Sequence, residues 1–374
     1  MKVFVAIDSF KGSLSTFEAA AAARDAFLEN GYSDGDIECF PMSDGGEGFC
    51  KVISYYQKGR WQTLQAAGPL GDEITASYFI ANQTAYIESA SVAGYTLVDR
   101  EKLNPAKMTS YGLGELIADA ASRGVQKIVV GLGGTCTVDA GVGMLQALGA
   151  KFILRGGGIL PDKSPALFSR ITRMDVSAMK KISADIEVWS DTQAEMYGKV
   201  GAAWIYGRQK GLTDEDIPHA DAWMRRMACL YSGRIWHKQG FGAAGGIGAA
   251  LATVLKAKML WGAEEIIGLS LLRNKIFSDL PALLITGEGK FDNQTLTGKL
   301  PAWVAEAGLE CRKLSGSDLP KIVCLAGKVE SVKTNKFDRI IQITPDGMPL
   351  KEALRSDIAA DNLKEAILSW CGTD

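Results

Sequence analysis

Histidine is nearly absent. The 374-residue chain carries two, His219 and His237, which removes most His-ligated metal centres and Ser-His-Asp triads. No Cys-x-x-Cys pair occurs and the seven cysteines are an odd number, so neither a zinc ribbon nor a disulfide framework is indicated. They read as small buried hydrophobes in a reducing compartment. A G-x-x-x-x-G-K-[ST] phosphate loop is missing, as are the H-R-D and D-F-G signatures of protein kinases, so any use of ATP needs another arrangement. An excess of one charge is also missing. Lys and Arg number 41 against 43 Asp and Glu, which offers no footprint for nucleic acid or an anionic membrane. The apolar stretch 240-GFGAAGGIGAALATVLK-256 is too short and too rich in glycine to span a bilayer. The opening run 1-MKVFVAIDSFKGS-13 is broken by Asp8 and Lys11, and reads as a first strand instead of a signal peptide. A cytoplasmic protein is expected.

What is plentiful is glycine, 42 residues, clustered between short apolar runs. The runs 3-VFVAI-7, 37-IECFPM-42, 128-IVVGL-132, 282-ALLIT-286, 321-KIVCLA-326 and 339-RIIQIT-344 have the texture of buried parallel strands. Helical patterns cover 16–30, 109–124, 213–235 and 359–370; the first opens behind Ser15 as N-cap and stops at Gly31. Between them, 61–89 alternates polar and apolar residues with Gly and Asn turns, as in an antiparallel or mixed sheet with one wet face. The expected fold is α/β with two domains. A Rossmann-like parallel-sheet domain is formed by both chain ends (1–60 and 240–374), and a mixed-sheet α/β domain (61–239) is inserted into it. A cleft between the two is the expected ligand site.

Five glycine-bearing loops carry the candidate chemistry. In 8-DSFKGS-13, Asp8 and Ser9 leave the carboxyl end of the first strand, the ligand edge of an α/β sheet. Lys11 then leads toward a helix start whose amides attract anions; the plain alternative is a βα loop with a Ser cap. In 43-SDGGEG-48, Asp44 and Glu47 flank a Gly-Gly turn and can share a Mg²⁺, or they simply favour a helix start. In 131-GLGGTCTVDAGVGM-144, the amides of Gly133 and Gly134 and the hydroxyls of Thr135 and Thr137 can cradle a phosphate ahead of Asp139, unless this is only a tight strand-to-helix turn. The stretch 240-GFGAAGGIG-248 holds a literal G-x-G-x-x-G at Gly240, Gly242 and Gly245, but 233-GRIWHKQ-239 makes a poor preceding strand. A closely packed or nucleotide-facing helix start fits it better. In 285-ITGEGKFDNQTLTGK-299, Gly287 and Gly289 let the backbone turn or approach a ligand. Glu288 and Asp292 can approach a metal, and Lys290 and Lys299 can neutralise phosphates or remain solvated.

Taken in order, 7-IDSFKGS-13, 43-SDGGEG-48, 104-NPAKMTSYGLGELI-117, 131-GLGGTCTVDAGVGMLQALGA-150, 208-RQKG-211, 242-GAAGGIGAAL-251 and 285-ITGEGKFDNQTLTGK-299 resemble the glycerate kinase type I family. The resemblance runs over nearly the whole chain. It implies ATP- and Mg²⁺-dependent phosphorylation of a hydroxyl of D-glycerate, usually giving 2-phosphoglycerate, in a two-domain α/β protein. Two segments depart from the family pattern. In 133-GGTCTVDAG-141, Thr137 and Asp139 are kept while Val138 and Ala140 stand for Asn and Gly; 190-SDTQAEM-196 keeps Asp191 and loses an Asn-Pro pair.

On this reading Lys11 and Lys290 offset charge on the transferred phosphoryl group, and Asp191 or Asp139 accepts the hydroxyl proton. Mg²⁺ sits among Asp44, Glu47, Glu288 and Asp292. The acceptor lies near Asp8, Ser9, Gly133, Gly134, Thr135 and Thr137, and the nucleotide near Gly242, Gly245, Gly246, Gly287 and Gly289. A homo-oligomer is compatible with the sequence. The rivals are an NAD(P)-dependent oxidoreductase using the Gly240/Gly242/Gly245 loop, and a catalytically weakened relative that binds a small acid.

Overall fold

The computed structural model describes residues 1–163, 165–232 and 238–371. Thirteen strands run through the described residues: β1 (Val3–Ile7), β2 (Ile37–Cys39), β3 (Arg60–Ala67), β4 (Glu73–Ala81), β5 (Thr84–Glu88), β6 (Lys127–Gly131), β7 (Lys151–Leu154), β8 (Ile171–Asp175), β9 (Asp185–Trp189), β10 (Lys258–Leu260), β11 (Leu283–Phe291), β12 (Lys321–Val329) and β13 (Arg339–Gln342). They fall into two units. One is Met1–Asp44 with the chain from Ala263 onward; the other is Gly45–Gly262.

The first unit holds a five-stranded sheet in the order β13-β12-β11-β1-β2, parallel throughout. Its inner strands are apolar on both faces because helices cover both. On one face, helices Thr16–Glu29 and Ser356–Cys371 bury Ala23, Phe27, Leu363 and Ile367 against Val5, Ile285 and Val323. On the other lies Leu300–Ser315, where Gly308 permits close approach: a Cβ there would stand 2.9 Å from side-chain atoms of both Leu284 and Ile322. The chain leaves β1 toward β2 on one side, while β11 leads through β12 to β13 on the other. Adjacent strands whose connections diverge make a topological switch point, where α/β sheets open a crevice at their carboxyl ends. The first helix begins as expected behind Ser15, in a capping box with Glu18.

The second unit is built on a mixed six-stranded sheet in the order β10-β9-β6-β5-β4-β3. Strands β10, β9, β6 and β5 are parallel, and the hairpins β5-β4 and β4-β3 are antiparallel. Ile87, Val130 and Val188 sit in register across its centre and are buried in one large core. Strands β7 and β8 form a separate antiparallel ribbon. Two segments expected in the first unit, 45–60 and 240–262, belong to this one. Phe49 opens helix Phe49–Tyr56 and packs its ring 6.2 Å from Tyr86 and 5.7 Å from Trp189. The Gly-rich helix Ala243–Thr253 leads into β10, which pairs with β9. The helix expected over 213–235 is seen as Asp216–Ser232; its last residues, and most of 233–239, lie outside the described residues. Among the described residues no helix is long and apolar enough to cross a membrane.

Candidate active site

In the first unit, charged side chains gather where β1 and β11 end. The Asp8 amide still donates to the Gly287 carbonyl at 3.1 Å, so the ladder with β11 holds to the last residue of β1 and just beyond, while β11 itself runs on to Phe291. Asp8 is buried, and its Oδ1 accepts from the Ser9 amide at 2.7 Å. The chain then folds into a tight loop. Phe10 and Leu14 exchange backbone bonds of 2.8 and 3.1 Å, and Gly12 supplies the left-handed turn at φ +82°. Lys11 stands at its tip, with 61% of its side chain open to solvent and Nζ 2.9 Å from Asp44 Oδ2. On β11, Glu288 is 7% exposed. Its Oε2 accepts from Lys299 Nζ at 3.1 Å, while Oε1 is buried without a partner.

The electrostatics follow from this crowding. Burial, then the Asp44 charge, pushes the Asp8 carboxyl well above the usual carboxylate range, with Lys11 opposing. Asp44 in turn holds the Lys11 ammonium above its ordinary value. Burial also raises Glu288, against the pull of Lys299. Crowded carboxylates with one orphaned oxygen, beside an ammonium open on one side, form a place where a cation and an anion can both be received.

Other expected members of this group make contacts of their own, and Asp292 stands 3.9 Å from Lys299. Lys290 is half-exposed and pairs with Glu330 at 2.7 Å and Asp292 at 3.5 Å; Lys299 stands beside Glu288 in its place. Asp292 Oδ1 accepts from the Gln294 amide at 2.9 Å, and the Asp292 amide stands 3.0 Å from Thr295 Oγ1, so this residue shapes its own turn. Glu47 is exposed and belongs to the second unit. Among the described residues, no three Asp, Glu, His or Cys side chains form a cation-binding group. The amides expected to attract an anion at the first helix are closed by the Ser15–Glu18 box. Gly287 and Gly289 serve close packing: a Cβ would stand 2.5 Å from the Leu325 carbonyl oxygen at the first and 3.4 Å from the Lys11 amide nitrogen at the second. Lys290→Met should accordingly change kcat and KM by less than about threefold, as expected for an exposed pair; steady-state kinetics check this.

In the second unit, β6 ends in a loop held by backbone contact. A Cβ on Gly133 would stand 2.5 Å from Gly46 Cα, so the glycines of the 43–48 and 131–134 loops fit against each other. Asp139 is fully buried. It accepts from the Ser110 amide (2.8 Å) and hydroxyl (2.7 Å) and from the amides of Gly141 (3.0 Å) and Gly143 (3.2 Å). Burial raises its pKa and these bonds oppose the rise. It fastens the start of helix Val142–Ala147. Asp191, the other expected proton acceptor, follows β9 and is half-buried.

The Gly242/Gly245/Gly246 stretch packs on protein backbone. Gly245 (φ +65°) would place a Cβ 2.1 Å from the Thr137 carbonyl oxygen, and Gly246 (φ +90°) one 2.9 Å from Ala140 Cα. Gly242 would place one 2.2 Å from the Glu195 carbonyl oxygen. Gly245 and Gly246 need to be glycine so that the 137–140 loop can lie against them, and Gly242 so that the Glu195 backbone can.

One buried charge was not singled out from the sequence. Lys210, 4% exposed, donates from Nζ to Thr135 Oγ1 (3.1 Å) and the Thr137 carbonyl (2.9 Å). Burial lowers its pKa to about 8. Its only signal is membership of 208-RQKG-211, where no hydrophobic period marks one lysine over another.

A parallel sheet with charged groups converging at its switch point defines the class: an α/β protein of the kind whose crevice for small ligands opens at the carboxyl edge of its strands. A sequence profile described as the glycerate kinase family matches residues 3–371. A glycerate kinase of Halalkalibacterium halodurans is 32% identical, over 98% of each chain. A glycerate 2-kinase of Escherichia coli K12 is 34% identical, over 98% of this chain and 96% of its own. A crystal structure described as glycerate kinase 2 from Salmonella typhimurium LT2 superposes with a TM-score of 0.75 at 32% identity, covering 100% of this chain and 98% of that one. The chain belongs to the glycerate kinase family. It is a kinase with an alcohol group as acceptor, and membership supports phosphorylation of glycerate and use of a nucleotide donor.

Proposed function

We propose that the protein catalyses ATP- and Mg²⁺-dependent phosphorylation of D-glycerate in the cytoplasm, giving 2-phosphoglycerate. The observation that carries this reading is the group at the ends of β1 and β11: Asp8, Lys11, Asp44, Glu288 and Lys299 in one place. Mg²⁺ is commonly held by one or two carboxylates, with waters and substrate phosphates completing its shell. The orphaned Glu288 Oε1 and the carboxylate of Asp44 fit that need, so these two would hold the ion. When bound, it would neutralise phosphate charge.

The chain's own residues supply the rest. Phosphoryl transfer depends on positioning and charge neutralisation more than on covalent chemistry. Lys11, open on one side, offsets charge on the transferred group, and Lys299 does so beside Glu288. Asp191 accepts the proton of the attacking hydroxyl, since Asp139 is occupied by four donors.

A coupled ADP-release assay over a panel of small hydroxy acids, with and without Mg²⁺, tests this. D-glycerate should give the highest kcat/KM, with no turnover in EDTA; ADP release indifferent to the acid added would count against it. Glu288→Gln should raise the Mg²⁺ concentration for half-maximal rate by about tenfold, a loss of about 1.4 kcal/mol of ion binding. A Mg²⁺ titration of the variant unchanged from wild type would remove Glu288 from the ion site.

A further inference from the structure

A lysine ammonium buried among neutral groups is costly, because burial removes its hydration and neutral acceptors restore only part of it. Lys210 is in this position. Its two protein acceptors, Thr135 Oγ1 and the Thr137 carbonyl oxygen, are uncharged. Among the described residues no carboxylate stands within ion-pair distance of it. Asp139 acts on it only at longer range and is occupied by Ser110, Gly141 and Gly143. The other titratable neighbour acting on Lys210 is Cys136, whose thiol burial keeps protonated by raising it to about 11. On the same residue whose carbonyl accepts from this ammonium, the Thr137 hydroxyl is buried without a partner. Two protein acceptors leave one ammonium N–H over, since an ammonium has three donors. The free N–H and the charge come from the 208–210 turn and reach the loop that carries the idle hydroxyl, directly after the glycines at the carboxyl end of β6.

We propose that Lys210 and Thr137 form an oxyanion subsite, completed by a carboxylate or phosphoryl oxygen of a bound ligand. The two sources share one chemistry, a charged oxygen that takes the third N–H of Lys210 and the Thr137 hydroxyl. In the setting of the kinase reading, on which this assignment rests, the sources are the carboxylate of the acceptor acid and a phosphate of the nucleotide. The backbone fits this use. Gly211, at φ +95°, lets the 208–211 turn close against the Leu103 carbonyl, where a Cβ would stand 2.4 Å from the oxygen. That contact seats the turn that carries Lys210.

The role is separable from plain structure by charge. A neutral amine still has two N–H donors and can keep both bonds to protein, so losing the proton costs the ligand and spares the loop. Between about pH 8 and the ordinary lysine value the unfolded chain binds the proton that the folded chain has lost. Stability should therefore rise with pH over that interval, while affinity for the oxyanion falls.

The test is calorimetric binding of D-glycerate, ATP and inorganic phosphate to the full-length wild type, Lys210→Met and Lys210→Arg. Lys210→Met should weaken one of the three at least tenfold, and Lys210→Arg should weaken that ligand less because it keeps the charge. Loss confined to D-glycerate assigns the carboxylate; loss of ATP or phosphate assigns a phosphoryl oxygen. If Lys210→Met does not fold, the wild type alone decides: the Kd for the same ligand should rise at least fivefold from pH 7 to pH 9.5 while Tm does not fall. Binding identical in wild type and variant, binding absent from both, or a Kd flat with pH overturns the subsite. Absence of glycerate turnover by the wild type would instead sink the kinase reading, while Lys210-dependent phosphate or ATP binding would still stand.

Discussion

Lys11→Ala should lower kcat by about 10²–10³-fold, the range seen when a preorganised electrostatic stabiliser is removed. In free energy this is about 3–4 kcal/mol of transition-state stabilisation. The magnitude follows from where the ammonium stands. It is the positive neighbour of Asp44 at 2.9 Å and opposes the crowding of Asp8, and its open side leaves room for an incoming phosphate. Removing it would take away the charge proposed to meet the transferred group and leave two carboxylates opposing one another. Asp8, whose carboxyl Lys11 now restrains, should then take up a proton more readily. Lys11→Arg should recover part of kcat, because the charge returns on a planar fork in place of a compact ammonium. Steady-state kinetics at saturating D-glycerate, ATP and Mg²⁺ decide the matter; a kcat within threefold of wild type would take Lys11 out of the mechanism.

Asp139→Ala should destabilise the fold by about 3–5 kcal/mol, the cost of removing one partner from a buried charged network. Three backbone amides and one hydroxyl aim at this carboxylate. With alanine, the amides of Ser110, Gly141 and Gly143 lose their acceptor inside the core of the second unit, each such orphan costing about 1–3 kcal/mol before relaxation. The start of helix Val142–Ala147 and the turn before helix Tyr111–Ser122 would loosen together. Urea denaturation measures the loss. The contrast with catalysis is sharp: a proton acceptor in the reaction would show normal stability and a kcat reduced by about 10²–10⁴-fold, and that pairing of results would return Asp139 to the chemistry.

The strands were legible because parallel strands covered on both faces must be apolar without interruption, as in 3-VFVAI-7 and 321-KIVCLA-326. The first helix was legible down to its cap, since Ser15 and Glu18 satisfy each other's amides by purely local geometry. The boundary near 240–262 was not legible. A Gly-rich helix followed by a short strand looks the same whichever sheet receives it, and only the pairing of β10 with β9 decides. At the site, Asp8, Lys11, Asp44 and Glu288 could be singled out from charges that follow apolar runs, although β11 extends past Glu288 to Phe291. Lys290 and Lys299 could not be ranked, because one lies on a strand end and the other before a helix, and sequence does not say which reaches Glu288. The glycines at Gly242, Gly245 and Gly246 carried a ligand-like pattern for another reason. Backbone pressing on backbone needs the same missing Cβ as backbone pressing on a phosphate.

The neighbour of β1 on its inner side is β11, with Val3 beside Leu283. During synthesis the ribosome therefore releases the opening strand long before its partner exists. The intervening Gly45–Gly262 segment is contiguous and can bury its own apolar surface first, while 3-VFVAI-7 waits with one ladder edge unmet. Chains halted before β11 would carry that edge exposed, a template for association with other nascent chains. Strand β1 is thus made before β11 and can complete that side of its ladder only once β11 has been made.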